Sequence, residues 1–317
     1  MGTDRQSGCL KKRSDNQIAF LYIGKVLNKL CIRRGNGLQE SLDHLRSQIS
    51  NFEDLPEISQ TLVDHFIANC TVVLAVGGEG TRLSSLTKSK NINKSSLILP
   101  NGDALIERTV KMYRNSGLKR FVCLVYHEAS SIVQLLGDGS SLGVEITYSY
   151  DPGKPVGRGG AILNAILNGY IPIGDNIIVH NPDDQIVDYN ESFPKHIIKG
   201  HISGISKGML ATVVVVESIS HPYTGMKINN SVIQDIEMYP TVPIPTHIGV
   251  TIFSPDIKEY FKRLFTLTEK VDFEATLFPE LSESRVLYSV PIASNYWIPV
   301  NDPKSFKELV EKLAKDK

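Results

Sequence analysis

Residues 71–83 read TVVLAVGGEGTRL. An apolar run passes into two glycines, an acid, a third glycine, then Thr81 and Arg82. A short apolar run closed by glycines reads as a buried strand feeding a tight turn. Open backbone N–H groups in such a turn form an anion-binding concavity. Arg82 adds a planar, permanently charged fork suited to phosphate. The plainer reading is a strand–turn–helix joint with a surface arginine, and the loop alone does not separate the two. Two phosphate motifs are excluded. A Walker A loop requires GxxxxGK[ST], but Arg82 and Leu83 follow Gly80 and Thr81. A dinucleotide fingerprint requires GxGxxG, and Leu83 stands at its last glycine.

Downstream, RFVCLVY (120–126), VEITYSY (144–150), NIIVH (176–180), MLATVVVVE (209–217) and HIGVTIF (247–253) read as further strands. Helices are expected over 103–116, 128–136 and 158–168. This alternation predicts an α/β fold, a mostly parallel mixed sheet with helices on both faces. Ligands of such sheets bind beyond the carboxyl ends of the strands, where the glycine turn falls.

Upstream the pattern differs. A helix is expected over 16–34, closed by Gly35-Asn36-Gly37. Leu38, Leu42, Leu45 and Ile49 recur at helical spacing in LQESLDHLRSQI. A third helix is expected to start at Asp54 and Pro56, with Ile58, Leu62, Phe66 and Ile67 on one face. Residues 1–70 thus read as an N-terminal helical extension, and 71–317 as the main domain. The extension is expected to pack on that domain, on a second copy of the chain as a homo-oligomer, or on both.

The 317 residues carry 34 Lys+Arg and 34 Asp+Glu, so charge makes no case for nucleic acid or membrane as the partner. Cys9, Cys31, Cys70 and Cys123 lie far apart without CxxC or zinc spacing, as free thiols of a cytoplasmic protein would. The apolar run IAFLYIG is too short to span a bilayer, and no signal-peptide cleavage site follows it.

Several blocks in order carry a family resemblance. They are GGEGTRLSSLT (77–87), Lys94, LILPNGDALIERTV (97–110) and GDGSSLGVEITYSYDPGKPVGRGGAI (137–162). IIVHNPDDQIVD (177–188), PYTGMKI (222–228), HIGVTIFSPDI (247–257), DFEATLFPEL (272–281) and YWIPVNDPKSF (296–306) follow. Together, over about residues 71–317, they resemble the sugar-1-phosphate nucleotidyltransferases. The resemblance implies a GT-A-like, Rossmann-related fold. It also implies the reaction of an NTP with a sugar 1-phosphate, giving NDP-sugar and pyrophosphate with Mg²⁺. Variants are the same chemistry with phosphocholine or another phosphomonoester as acceptor, or a non-catalytic nucleotide- or sugar-binding regulator on the same fold.

The resemblance also implies roles. Val76, Gly77, Gly78, Gly80, Thr81, Gly157 and Gly159 would meet the nucleotide. Arg82 would hold the departing pyrophosphate, and Lys94 would sit near the α-phosphate and sugar phosphate. Asp183 would hold Mg²⁺, with Asn301 or Asp302 as second ligand. A cation of this kind keeps one or two carboxylates and takes other oxygens from phosphate. Gly160, Tyr223, Gly225, Glu237 and Glu274 would face the sugar. The sequence departs from the family pattern at Val76, Ser85, Asn93, Arg158, Pro182 and His247. In Glu237-Met238-Tyr239-Pro240 the usual lysine is missing.

Overall fold

The structure, a computed structural model, describes residues 37–315. The helix expected over 16–34, with Cys9 and Cys31, lies outside them. The described residues form two compact units, 37–49 with 220–243, and 50–219 with 244–315. Contacts therefore do not divide the chain at residue 70: segment 50–70 belongs to the larger unit, and 220–243 to the smaller. No helix among the described residues is long and apolar enough to cross a membrane.

The larger unit runs α1 (Gln60–Ala68), β1 (Cys70–Ala75), α2 (Leu105–Asn115), β2 (Arg120–Val125), α3 (Ala129–Leu136) and β3 (Glu145–Tyr150). It continues with α4 (Gly157–Leu167), β4 (Asn176–His180), β5 (Asp184–Ile186), α5 (Phe193–Ser206), β6 (Ala211–Val216) and β7 (Thr246–Phe253). It ends with α6 (Ile257–Leu264), α7 (Phe273–Glu283), β8 (Leu287–Ile292), β9 (Trp297–Pro299) and α8 (Pro303–Lys315). Seven strands form one sheet, ordered β8-β6-β7-β4-β1-β2-β3. Strand β7 is antiparallel to both neighbours and every other pair is parallel.

Alternation along the strands sends side chains to two cores. Val72 and Leu74 of β1 pack with Val63, Val110, Ile132 and Ile197, from α1, α2, α3 and α5. Val73 packs on the other face with Ile162, Phe261 and Leu277, from α4, α6 and α7. A sheet buried on both faces explains why β1 and β4 read as unbroken apolar runs. From β1 the chain moves outward to β2 and β3, then returns to β4 on the other side of β1. This reversal opens a crevice at the carboxyl ends of β1 and β4.

One expectation needs correction. The third upstream helix starts at Gln60, after Ser59, whose carbonyl accepts from the Leu62 and Val63 N–H groups. Its buried face is Val63 and Phe66, while Leu62 points outward.

In the smaller unit, helix Leu38–Ile49 packs on an antiparallel hairpin, Gly225–Asn229 with Val232–Glu237. Asn230 (φ 46°) and Ser231 (φ 64°) make its two-residue turn, with the left-handed backbone that matches strand twist. Asp235 Oδ2 accepts from the Leu38 N–H at 2.6 Å, and Lys227 Nζ donates to Ser41 Oγ at 2.9 Å.

Candidate active site

Strand β1 delivers the glycine turn to the crevice. Gly77 and Gly78 line a cavity of about 450 Å³ there. Gly80 follows at φ +60°, and a Cβ on it would lie 3.1 Å from Lys94 Cβ and Cδ. Only glycine takes this backbone readily while leaving room for the lysine stem. The turn is anchored by Leu83, which is buried with Leu97, Ile298, Val300 and Leu309. That cluster ties the turn to the C-terminal segment. Arg82 Nη2 accordingly reaches Asn301, donating to Oδ1 at 3.1 Å.

Asn93 sets the position of Lys94. It is buried, and Nδ2 donates to the carbonyls of Val76 (2.7 Å) and His127 (3.0 Å). Its Oδ1 accepts from the Ser95 N–H at 2.9 Å. Proline, the residue that the family resemblance implies at this position, could make none of these side-chain bonds. Lys94 Nζ then pairs with the Asp183 carboxylate, both side chains being mostly buried.

Asp183 sits in a turn beyond β4. The Asp184 N–H donates to Asn181 O at 2.8 Å, and Gln185 Nε2 donates to Pro182 O at 2.6 Å. A proline at 182 costs the turn no donor, since only its carbonyl is used. The Val300 N–H bonds Asp183 O at 2.8 Å, and β9 pairs with β5. Asp184 turns inward, accepting from Trp297 Nε1 at 3.0 Å and Asn181 Nδ2 at 3.2 Å. Gly249 (φ +73°) makes room for it, because a Cβ there would lie 2.1 Å from Asp184 Oδ2. Burial, and then the neighbouring Asp183, push the Asp184 carboxyl up to about 7. His180 Nε2 lies 2.8 Å from Asp184 O, so that nitrogen carries the proton, and Nδ1 accepts from Tyr113 OH at 2.8 Å. Burial pulls this imidazole down to about 4, so it is neutral.

The far wall is built by α4 and the segment before α7. Val271 N bonds Val156 O at 3.1 Å, and Gly159 N bonds Val271 O at 3.0 Å. Arg158 pairs with Asp272 (3.2 Å) and Glu274 (2.6 Å). Asp151, Arg158, Lys270 and Asp272 all line the cavity.

The expected residues divide accordingly. Gly77, Gly78, Arg82, Lys94, Gly157, Asp183 and Asn301 line one cavity. Val76 does not; it is core, and its carbonyl serves Asn93. Thr81 opens a short 3₁₀ turn and is exposed. Gly159 and Gly160 are packing glycines, with Phe265 and Val156 where a Cβ would stand. Glu274 is tied to Arg158 rather than lining the cavity. Asp302 caps α8, accepting from Ser305 N at 2.8 Å, which holds it below the usual carboxylate range. Of the two second-ligand candidates, only Asn301 therefore faces the cavity.

Tyr223, Gly225 and Glu237 belong to the smaller unit. There Gly225 abuts Leu38 and Pro240, and Tyr223 is exposed beside His221. Asn181, Asp151, Lys270 and Asp272 were not singled out from sequence. Asn181 and Asp151 each follow a strand end, and Asp272 heads the resembling block 272–281 just before a helix, which were usable signals; Lys270 carried none.

Among the described residues no three His, Cys, Asp or Glu side chains converge as a metal cluster. The cavity offers oxygen donors in Asp183 and Asn301, beside the cations Arg82 and Lys94. This donor set suits a hard cation that completes its shell with phosphate oxygens.

Residues 70–316 match the family model described as Nucleotidyl transferase. The chain is 25% identical over 254 residues to the low-salt glycan biosynthesis nucleotidyltransferase Agl11 of Haloferax volcanii, covering 77% of this chain and 66% of that protein. It is 23% identical over 242 residues to a UTP–glucose-1-phosphate uridylyltransferase of Synechocystis, covering 72% of this chain and 59% of that protein. The chain thus spans less than two thirds of the length of either relative. In fold it resembles a UDP-glucose pyrophosphorylase solved with UDP-glucose, with TM-score 0.56 at 17% identity over 78% of this chain and 99% of that one.

Proposed function

Because this chain belongs to the nucleotidyl transferase family, we propose that it joins the nucleotidyl group of an NTP to a sugar 1-phosphate, releasing pyrophosphate. One observation carries this reading. A glycine turn, Arg82, Lys94 and Asp183 converge at the strand switch point, in a cavity sized for a small ligand.

The reaction needs no covalent intermediate. An oxygen of the sugar phosphate attacks the α-phosphorus in line, and the bond to the bridging pyrophosphate oxygen breaks. The protein's work is to position two anions and offset their repulsion. Gly77 and Gly78 let the nucleotide approach the backbone. Arg82, steadied by Asn301, holds the β- and γ-phosphates. Lys94 lies between the turn and Asp183 and screens the attacking phosphate from the α-phosphate. A Mg²⁺ held by Asp183 and Asn301 would polarise the phosphate oxygens and offset their charge. Asp184, half-buried and engaged by Trp297 and Asn181, orients that turn. The nucleotidyl-transfer sequence blocks run over 71–317, and of the extension before them residues 50–70 pack with the unit that holds the cavity. The buried free thiols of Cys70 and Cys123 support a reducing cytoplasm as its setting.

The test is pyrophosphate release across a matrix of NTPs, sugar 1-phosphates and phosphocholine with Mg²⁺. Release with at least one sugar 1-phosphate is expected. Intact nucleotide binding with no release for any pair would sink the reading, and release only with phosphocholine would move the acceptor class.

A further inference from the structure

The hairpin of the smaller unit has two unlike faces. Gly225, Lys227, Asp235 and Glu237 alternate onto the face that meets helix Leu38–Ile49. Met226 opposite Ile236, and Ile228 opposite Ile233, form the other face. All four are exposed, Ile228 at 61% and Ile236 at 55%. The helix leaves its own stripe open too, with Leu45 and Ile49 exposed. None of the large apolar side chains in this unit's described residues is buried. One helix and one hairpin without a buried core do not hold together in water. More apolar chain has to complete them.

Residues 18–32, IAFLYIGKVLNKLCI, lie outside the described residues; eleven of the fifteen are apolar, and the only charges are Lys25 and Lys29. The described chain begins beside the hairpin. Leu38 abuts Gly225, and its N–H bonds Asp235. From Leu38 back to Ile32 the chain reaches about 20 Å when extended, about the length of a six-residue strand. The stretch is therefore tethered within reach of the face. We propose that residues 18–32 cover the outward face of this hairpin, formed by Met226, Ile228, Ile233 and Ile236, and supply the core the smaller unit lacks.

The test uses the full chain carrying Cys9→Ser. Cys31 is then its one thiol besides the buried Cys70 and Cys123. N-ethylmaleimide should modify Cys31 at least tenfold more slowly in this chain than after Ile228→Asp with Ile236→Asp. Ile173→Asp, at a residue 89% exposed in the larger unit, should leave the rate unchanged. Equal rates in the parent and the pair variant overturn the proposal. So does a dimer by light scattering that the pair variant disperses, because a second copy then covers the face. Ile236→Cys in the same background checks the contact without the charged pair. A short bis-maleimide should bridge it to Cys31 within one chain, and no such bridge at any spacer length also overturns the proposal.

Discussion

Gly80 and Lys94 are coupled sterically before any chemistry is considered. At Gly80 the left-handed backbone, and the lysine stem 3.1 Å from its missing Cβ, make any side chain strained and crowded. Gly80→Ala should cost about 1–2 kcal/mol from the backbone alone. It should also lower kcat/KM at least tenfold, because the displaced stem misplaces the ammonium; steady-state pyrophosphate release measures this. Asp183→Asn should abolish release while leaving nucleotide binding measurable by calorimetry, since the glycine turn and Arg82 are untouched. Retained turnover in that variant would move the metal site elsewhere. Asn93→Pro, the residue the resemblance expects, deletes bonds to Val76 and His127. It should raise the KM for the acceptor at least several-fold in steady-state assays, and an unchanged KM would remove Asn93 from the positioning of Lys94.

At the scale of elements, α4 is held by contact with α6 and the strand-like segment before α7. Gly159 meets the Phe265 ring 2.3 Å from where its Cβ would be. Gly159→Ala should therefore destabilise by about 1–3 kcal/mol through overpacking. Adding Phe265→Leu should recover part of the loss in a urea melt, as expected of a packing glycine and not of a nucleotide contact. The C-terminal helix acts on the site from behind. Leu309 is fully buried with Leu83 and Val300. Leu309→Ala should cost about 2–5 kcal/mol and weaken nucleotide binding along with it. Helices α2 and α3 were legible because single apolar faces repeat at 3.6 residues. Helix α5 was not, because Gly200, His201, Ser203 and Gly204 are buried in it. Burial without apolar character leaves no periodic signal.

Across the larger unit, His180 and His201 are buried and His247 is half-buried, with pKa values lowered by desolvation to about 4, 3 and 4. Their unfolded values lie near 6.5. The unfolded chain therefore binds more protons between those limits, so stability is complete above about pH 6.5 and falls as pH drops toward 4. His201→Gln should flatten the fall in melting temperature between pH 7 and pH 4.5; a slope equal to the parent's would remove His201 from the account. The sequence by itself determined the α/β class and where six of the seven sheet strands lie along the chain, and it drew attention to the glycine turn with Arg82. The class and the strands are written in side-chain periodicity, and the turn in the backbone freedom of glycine, whereas Lys94 and Asp183 were named only through the family resemblance. Only the tertiary structure decided that Gly159 and Gly160 pack while Gly157 faces the cavity, that Asn301 and not Asp302 turns inward, and that segment 220–243 joins 37–49. Those outcomes depend on which distant surface a residue meets, and chain neighbours do not encode that choice.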